Sequence, residues 1–173
     1  MNKQHFKETL AKLVETIERN KDVYRSRQSD FNEAQLREQF LNPMFKALGW
    51  DMSNEQGYAE QYKEVVHEDK VYVKGKPKAP DYSFRIGGQR KFFLEAKQPF
   101  VRIKTDFDPA LQLRRYAWSA HLPISILTDF EEFAIYDTTI EPKAGDSAST
   151  GRIEYFTFDQ YLDKWEQIYD LFA

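Results

Sequence analysis

The stretch "KAPDYSFRIGGQRKFFLEAK", Lys78 to Lys97, contains two strand-like runs around a Gly-Gly pair. Asp81, Glu95 and Lys97 stand among residues that otherwise favour burial. Side chains alternate faces along a strand, so Phe92, Leu94 and Ala96 share one face while Phe93, Glu95 and Lys97 share the other. That places Glu95 and Lys97 side by side, roughly 6–7 Å apart at the backbone. Two carboxylates and an ammonium are costly to bury together unless something offsets them, and a divalent cation does so. Oxygen ligands without His or Cys favour Mg²⁺ or Mn²⁺, which keep waters and bind substrate phosphate. A plainer reading is a strand-edge ion pair between Glu95 and Lys97, with Asp81 as a turn residue.

Whether Asp81 meets Glu95 is a question of hairpin register. A regular two-residue Gly87-Gly88 turn pairs Ile86 with Gln89 and sets Asp81 opposite Leu94, so the two acids face opposite ways. A three-residue loop ending in Gly88 pairs Arg85 with Gln89 and brings Asp81 diagonal to Glu95 on one face. A shared site therefore requires an odd-length loop, or a bulge.

The elements around this hairpin follow from periodicity. Phe6, Leu10, Leu13, Val14 and Ile17 predict an amphipathic helix over roughly 3–27. Ser29 or Asp30 is the expected cap of a second helix over 32–48, with an apolar stripe of Phe40, Leu41, Met44, Phe45 and Leu48. Pro43 is expected to kink that helix and Gly49 to end it. Strands are predicted at 58–67, 80–86, 90–97, 123–129 and 132–137, with a short one near Ile153–Phe156. Asp106 or Asp108 is the expected cap of a helix that has Pro109 at its first position and runs to about 120, and another helix runs from Phe158 to about Leu171. This order makes an α/β fold, a central mixed sheet flanked by helices. The division expected is an N-terminal helix (1–28), a core (30–137), and a loop with closing helix (138–173), all in one domain.

The 173 residues suffice for one hydrophobic core, and 41% hydrophobic with 31% charged residues is a globular composition. There is no cysteine, which excludes disulfides, thiolate metal sites and a cysteine nucleophile. The charged amphipathic opening is no signal peptide and no run is long enough for a membrane span, so no membrane partner and a cytoplasmic location are expected. The net charge of −3 hides a basic middle: residues 63–115 hold 13 Lys/Arg against 7 Asp/Glu, while 116–173 hold 3 against 11. That distribution suggests a local polyanion site. His5, His67 and His121 have no ligand-like spacing.

"PD", 13 residues, then "EAK" resembles the Pro-Asp…(Asp/Glu)-x-Lys nuclease motif. "QLRRY" resembles the Gln-x-x-x-Tyr helix motif of one branch of those nucleases, and i, i+4 spacing puts Gln112 and Tyr116 on one helical face. "LREQFLNPMFKALGW" resembles the helix that contributes a glutamate in that branch, with Glu38 at the matching position. Together with "YKEVVHED" and "ILTDFEEFAIYD", these segments resemble the N-terminal nuclease domain of type I-like and type IIG restriction–modification enzymes over roughly residues 30–172. The resemblance implies a restriction-endonuclease-like core and an Mg²⁺-dependent endonuclease acting on duplex DNA, leaving 5′-phosphate and 3′-hydroxyl ends. It implies Asp81 and Glu95 as metal ligands, Lys97 positioning the attacking water, and Glu38 adding or orienting a ligand, with Gln112 and Tyr116 in support. Lys74, Lys76, Lys78, Arg102, Lys104, Arg114 and Arg115 would then hold DNA phosphates without reading sequence.

The chain has no G-x-x-x-x-G-K-[ST] and no Asn-Pro-Pro-Tyr, so ATP-driven translocation, methylation and target recognition are expected of other modules, in the same parent chain or complex. An excised nuclease domain of a longer protein, or a truncated gene product, is expected. The alternatives are a catalytically silent DNA-docking domain that keeps the nuclease fold, or a protein-interaction domain using the acidic C-terminal region.

Overall fold

The computed structural model describes residues 2–173. Helix α1 (Lys3–Arg25) leads to α2 (Glu33–Leu36), which continues through a π-helical turn (Arg37–Leu41) into α3 (Asn42–Leu48). A 3₁₀ turn at Glu60–Tyr62 precedes β1 (Val65–His67), β2 (Val71–Val73), β3 (Lys76–Lys78), β4 (Tyr82–Ile86) and β5 (Gln89–Ala96). Then come α4 (Phe107–Ser119), β6 (Ile124–Thr128), β7 (Glu132–Asp137), β8 (Arg152–Thr157) and α5 (Tyr161–Phe172). Six strands form one sheet in the order β1-β4-β5-β6-β7-β8, and β2-β3 is a separate hairpin. Among the described residues, only β5 and β6 pair in parallel, with α4 lying between them in the chain. The expected mixed α/β sheet flanked by helices, with its extra N-terminal helix, is the fold observed.

The alternation expected of β5 is realised. Phe92, Leu94 and Ala96 join α1, α3 and α5 in the larger core, whereas Phe93 joins Leu113, Tyr116 and Ala117 of α4 on the opposite face. The stripe of Phe40, Leu41, Met44, Phe45 and Leu48 is wholly buried in the first of these cores. Burying an aliphatic or aromatic side chain contributes about 1.5–3 kcal/mol, so these positions dominate the stability of the fold.

Several expectations give way. The region 58–67 keeps only three strand residues, because Glu60–Tyr62 turns as 3₁₀ helix. The cap of the second helix is Asn32, whose side chain accepts from the Gln35 N–H while Gln35 answers the Asn32 N–H. The segment at Pro43 does not simply kink. Proline has no N–H to bond backwards, and the helix widens just before it, Asn42 N–H reaching Arg37 O five residues back. Pro109 lies at the third helical position, since α4 begins at Phe107. The β2-β3 hairpin was not foreseen. Among the described residues, no helix is long and apolar enough to cross a membrane.

The hairpin register resolves the parity question by the bulge. The turn has two residues, Gly87 and Gly88, both with positive φ, as a tight hairpin turn requires. Ile86 therefore pairs with Gln89 and Arg85 with Arg90, but Phe84 pairs with Phe92, leaving Lys91 as an extra residue on β5. Beyond it Tyr82 faces Leu94, so Asp81 comes level with Glu95 instead of diagonal to it. The three-residue loop is not used. Two interactions hold the bulge. Phe84 and Phe92 stack with ring centroids 4.5 Å apart, and Asp69 Oδ2 accepts from Arg85 Nη2 at 2.7 Å and from Arg90 Nε at 2.8 Å. Directly opposed arginines repel, and Asp69 between them removes that penalty. Burial disfavours the Asp69 charge, but the hydrogen bonds from Arg90 and Arg85 outweigh it and hold the carboxyl below the usual range.

Asp69→Asn is expected to lower unfolding stability by about 2–3 kcal/mol, since it leaves two half-buried guanidinium groups facing each other. Because the native Asp69 pKa is depressed, its contribution exists above the unfolded pKa and is lost as pH falls through the native one. Denaturant unfolding of both proteins should thus show a gap near neutrality that narrows in acid. An unchanged midpoint at pH 7 would show that the bulge does not depend on Asp69.

Candidate active site

Asp81, immediately before β4, and Glu95, near the end of β5, are brought level by the Lys91 bulge. The Asp81 N–H donates to Glu95 Oε1 at 2.8 Å, and Asp81 Oδ2 accepts the Ala96 N–H at 2.8 Å. Each carboxylate is thus oriented by the backbone of the opposing strand. Lys97 follows Glu95 by two residues, and its N–H still donates to Thr128 O at 3.0 Å, so its Cα is fixed by the β5-β6 ladder. Its ammonium lies 4.0 Å from Glu95 Oε2 and 3.5 Å from Gln112 Oε1. Gln112 in turn donates to the Tyr116 hydroxyl at 2.6 Å. Asp81, Glu95, Lys97, Gln112 and Tyr116 therefore lie together.

Glu38 does not join them. It is exposed and lines a cavity with Asn42, His67 and Glu68. Glu33 lies within electrostatic reach of the pair instead: it is half-buried, and its carboxyl is raised mainly by burial, with Lys97 lowering it and Asp81 raising it. Five residues on a helix turn through about 140°, so Glu33 and Glu38 lie on different faces. Arg37, one turn after Glu33, also escaped the sequence reading, and its Nη1 donates to Asp81 Oδ1 at 2.9 Å.

The expected phosphate-holding residues divide into three groups. Lys74, Lys76 and Lys78 of the β2-β3 hairpin share a cavity of about 560 Å³ with Arg115, Gln112 and Tyr116. That cavity is joined to the carboxylate pair through Gln112, which bonds Lys97. Arg102 and Lys104 lie elsewhere, on the loop after Lys97, where Glu132 accepts the N–H groups of Ile103 and Lys104. Arg114 is withdrawn from any such role. Its side chain is 1% exposed and bonds Asp146 at 2.6 Å, pinning the 138–151 loop to α4.

The electrostatics define what this arrangement can hold. Burial, then the facing Asp81 charge, push the Glu95 carboxyl up to about 8, against the Asp81 N–H and Lys97. Asp81 is raised as well, mainly by burial. Among the described residues, no three His, Cys, Asp or Glu side chains cluster tightly enough to cage an ion by themselves. Two backbone-oriented carboxylates, Glu95 buried and Asp81 partly so, form an oxygen-only donor set. That set fits a hard divalent cation completing its shell with water and phosphate.

A raised carboxyl pKa means the native state binds the proton more tightly than the unfolded chain, so stability falls as pH rises between the ordinary carboxylate range and about 8. In a chelating buffer, thermal unfolding is expected to show this decline in the wild type. Glu95→Gln should flatten the decline and be the more stable protein at pH 8–9. Parallel pH profiles for the two would contradict the assignment.

Residues 63–144 match the family described as type I restriction enzyme R protein N terminus. This span contains Asp81, Glu95, Lys97, Gln112, Tyr116 and the basic hairpin. The chain is also 42% identical over 173 residues to an Escherichia coli protein, "Type II restriction enzyme and methyltransferase RM.Eco57I". That match covers 99% of this chain and 17% of the relative, so the chain spans about a sixth of that protein's length. No solved structure matches significantly. Residues 63–144 thus carry the pattern of that family, and the chain is similar over its length to part of a restriction–modification protein.

Proposed function

We propose that the domain is a metal-dependent endodeoxyribonuclease of a restriction–modification enzyme, hydrolysing phosphodiester bonds of duplex DNA with Mg²⁺ or Mn²⁺. The observation that carries this reading is the convergence of Asp81 and Glu95 beside Lys97, achieved through a bulge that the core alternation alone does not require. Asp81 and Glu95 supply the ligand oxygens, and Glu33 adds negative charge beside Asp81 and Lys97. A bound cation would acidify a coordinated water and neutralise charge developing on the phosphate. Lys97, held between Glu95 and Gln112, orients that water, and Gln112 is itself oriented by Tyr116. The relative is named as both a restriction enzyme and a methyltransferase. Methylation and target recognition accordingly fall to other modules of a parent chain or complex.

Lys74, Lys76, Lys78 and Arg115 form the substrate side of the site. They hold backbone phosphates without reading bases, while sequence choice lies elsewhere. Their position beside Gln112 and Tyr116 supports this over the acidic C-terminal segment as the macromolecular contact.

Calorimetric titration with Mn²⁺ is expected to give one binding event in the wild type and none in Asp81→Ala. Equal, negligible heats in both would sink the catalytic reading and favour a silent docking domain. Where nicking of plasmid DNA is measurable, Lys97→Ala should abolish it. Replacing Lys74, Lys76 and Lys78 together by Ala should weaken duplex binding, measured in Ca²⁺, and reduce the slope of log K against log salt by roughly 2–3. An unchanged slope would remove the hairpin from the interface.

A further inference from the structure

Both oxygens of Asp81 are engaged. Oδ2 accepts the Ala96 N–H at 2.8 Å and Oδ1 accepts Arg37 Nη1 at 2.9 Å. A cation coordinated by Asp81 would therefore share its carboxylate with a guanidinium of like charge. Arg37 does not have to remain there. It opens the π-helical turn ahead of Pro43, its side chain is 25% exposed, and it borders a cavity of about 310 Å³ next to Glu68 and Tyr82. Lys97, by contrast, is held on the other side of Glu95 by Gln112.

Formal charge gives Arg37 a second partner. A divalent cation at Asp81 and Glu95 would repel Arg37 from the Asp81 carboxylate they share, while an incoming phosphodiester brings a negative charge of its own. A planar guanidinium displaced from a carboxylate finds an equivalent two-oxygen acceptor in a phosphate.

Resting on the metallonuclease reading above, we propose that Arg37 exchanges partners: it holds Asp81 in the absence of a cation and moves to the scissile phosphate when cation and DNA bind. Arg37 is thereby both a placeholder at the metal site and a substrate contact. It couples occupancy of the carboxylates to capture of the phosphate, since the guanidinium is released only when Asp81 is taken by another positive charge.

The test compares wild type, Arg37→Ala, Arg37→Lys and Asp81→Ala by Mn²⁺ calorimetry and by duplex-DNA anisotropy in Ca²⁺ and in EDTA. Arg37→Ala is expected to bind Mn²⁺ about tenfold more tightly, reflecting removal of one charge-assisted competitor. It is expected to lose about tenfold in DNA affinity in Ca²⁺ with little change in EDTA, and Arg37→Lys should lie between. Weaker Mn²⁺ binding in both Arg37 variants would mean that Arg37 only props Asp81 in place, which overturns the exchange. Equal loss of DNA affinity with and without Ca²⁺ would make it a general backbone contact and overturn it likewise. A wild type that takes up no more Mn²⁺ than Asp81→Ala would instead overturn the reading of the site, and the exchange with it.

Discussion

One carboxylate outside the site, Asp69, braces the irregularity on which the site's geometry rests. It bridges Arg85 and Arg90 at the point where the β4-β5 ladder takes in an extra residue. Without that residue, Asp81 would lie opposite Leu94 and point into the large aromatic core. With it, Asp81 lies level with Glu95, and each acid is fixed by the other strand's backbone N–H. The stacked Phe84 and Phe92 guard the same point from the core side. A hydrophobic pair and an ionic bridge thus hold one irregularity from opposite faces of the sheet.

What the bulge assembles is unfavourable by itself. Burial raises Asp81, burial and the facing Asp81 charge raise Glu95, and burial raises Glu33 beside them. The strain is tolerated because the rest of the sheet is well packed. Phe6, Leu10 and Ile17 of α1 and Tyr161, Ile168 and Phe172 of α5 close one face, and α4 closes the other. A site that is electrostatically overloaded without its ligands is predisposed to take up positive charge. Arg37 supplies one such charge from within the chain.

How much of this was legible in sequence varied by residue. Strict alternation made Glu95 and Lys97 neighbours, and parity showed that a regular two-residue hairpin would separate Asp81 from them. The choice between a longer turn and a bulge was hidden, because it depends on Asp69, an acid distant in sequence from Arg85 and Arg90. Glu33 was masked by its position: an acid just after an Asn cap reads as a helix-start residue complementing the dipole. Arg114 was misread with Arg115 as one basic pair, although Ala110, Leu113 and Ala117 place it on the buried face of α4. The β2-β3 hairpin offered three-residue strands and a proline, too little pattern to stand out. Its Lys-Gly turn at positive φ is visible only in retrospect.

The two-residue turn carries a consequence for how such chains vary in length. Gly88 packs so closely on Gln61 that an added Cβ would lie 2.8 Å from its carbonyl oxygen, which restricts where the turn can be rebuilt. Insertions between Asp81 and Glu95 are therefore tolerated in even steps. A single-residue insertion or deletion survives only when a bulge is gained or lost with it. The separation of the two acids is thus a matter of parity, set by the pleat of the sheet.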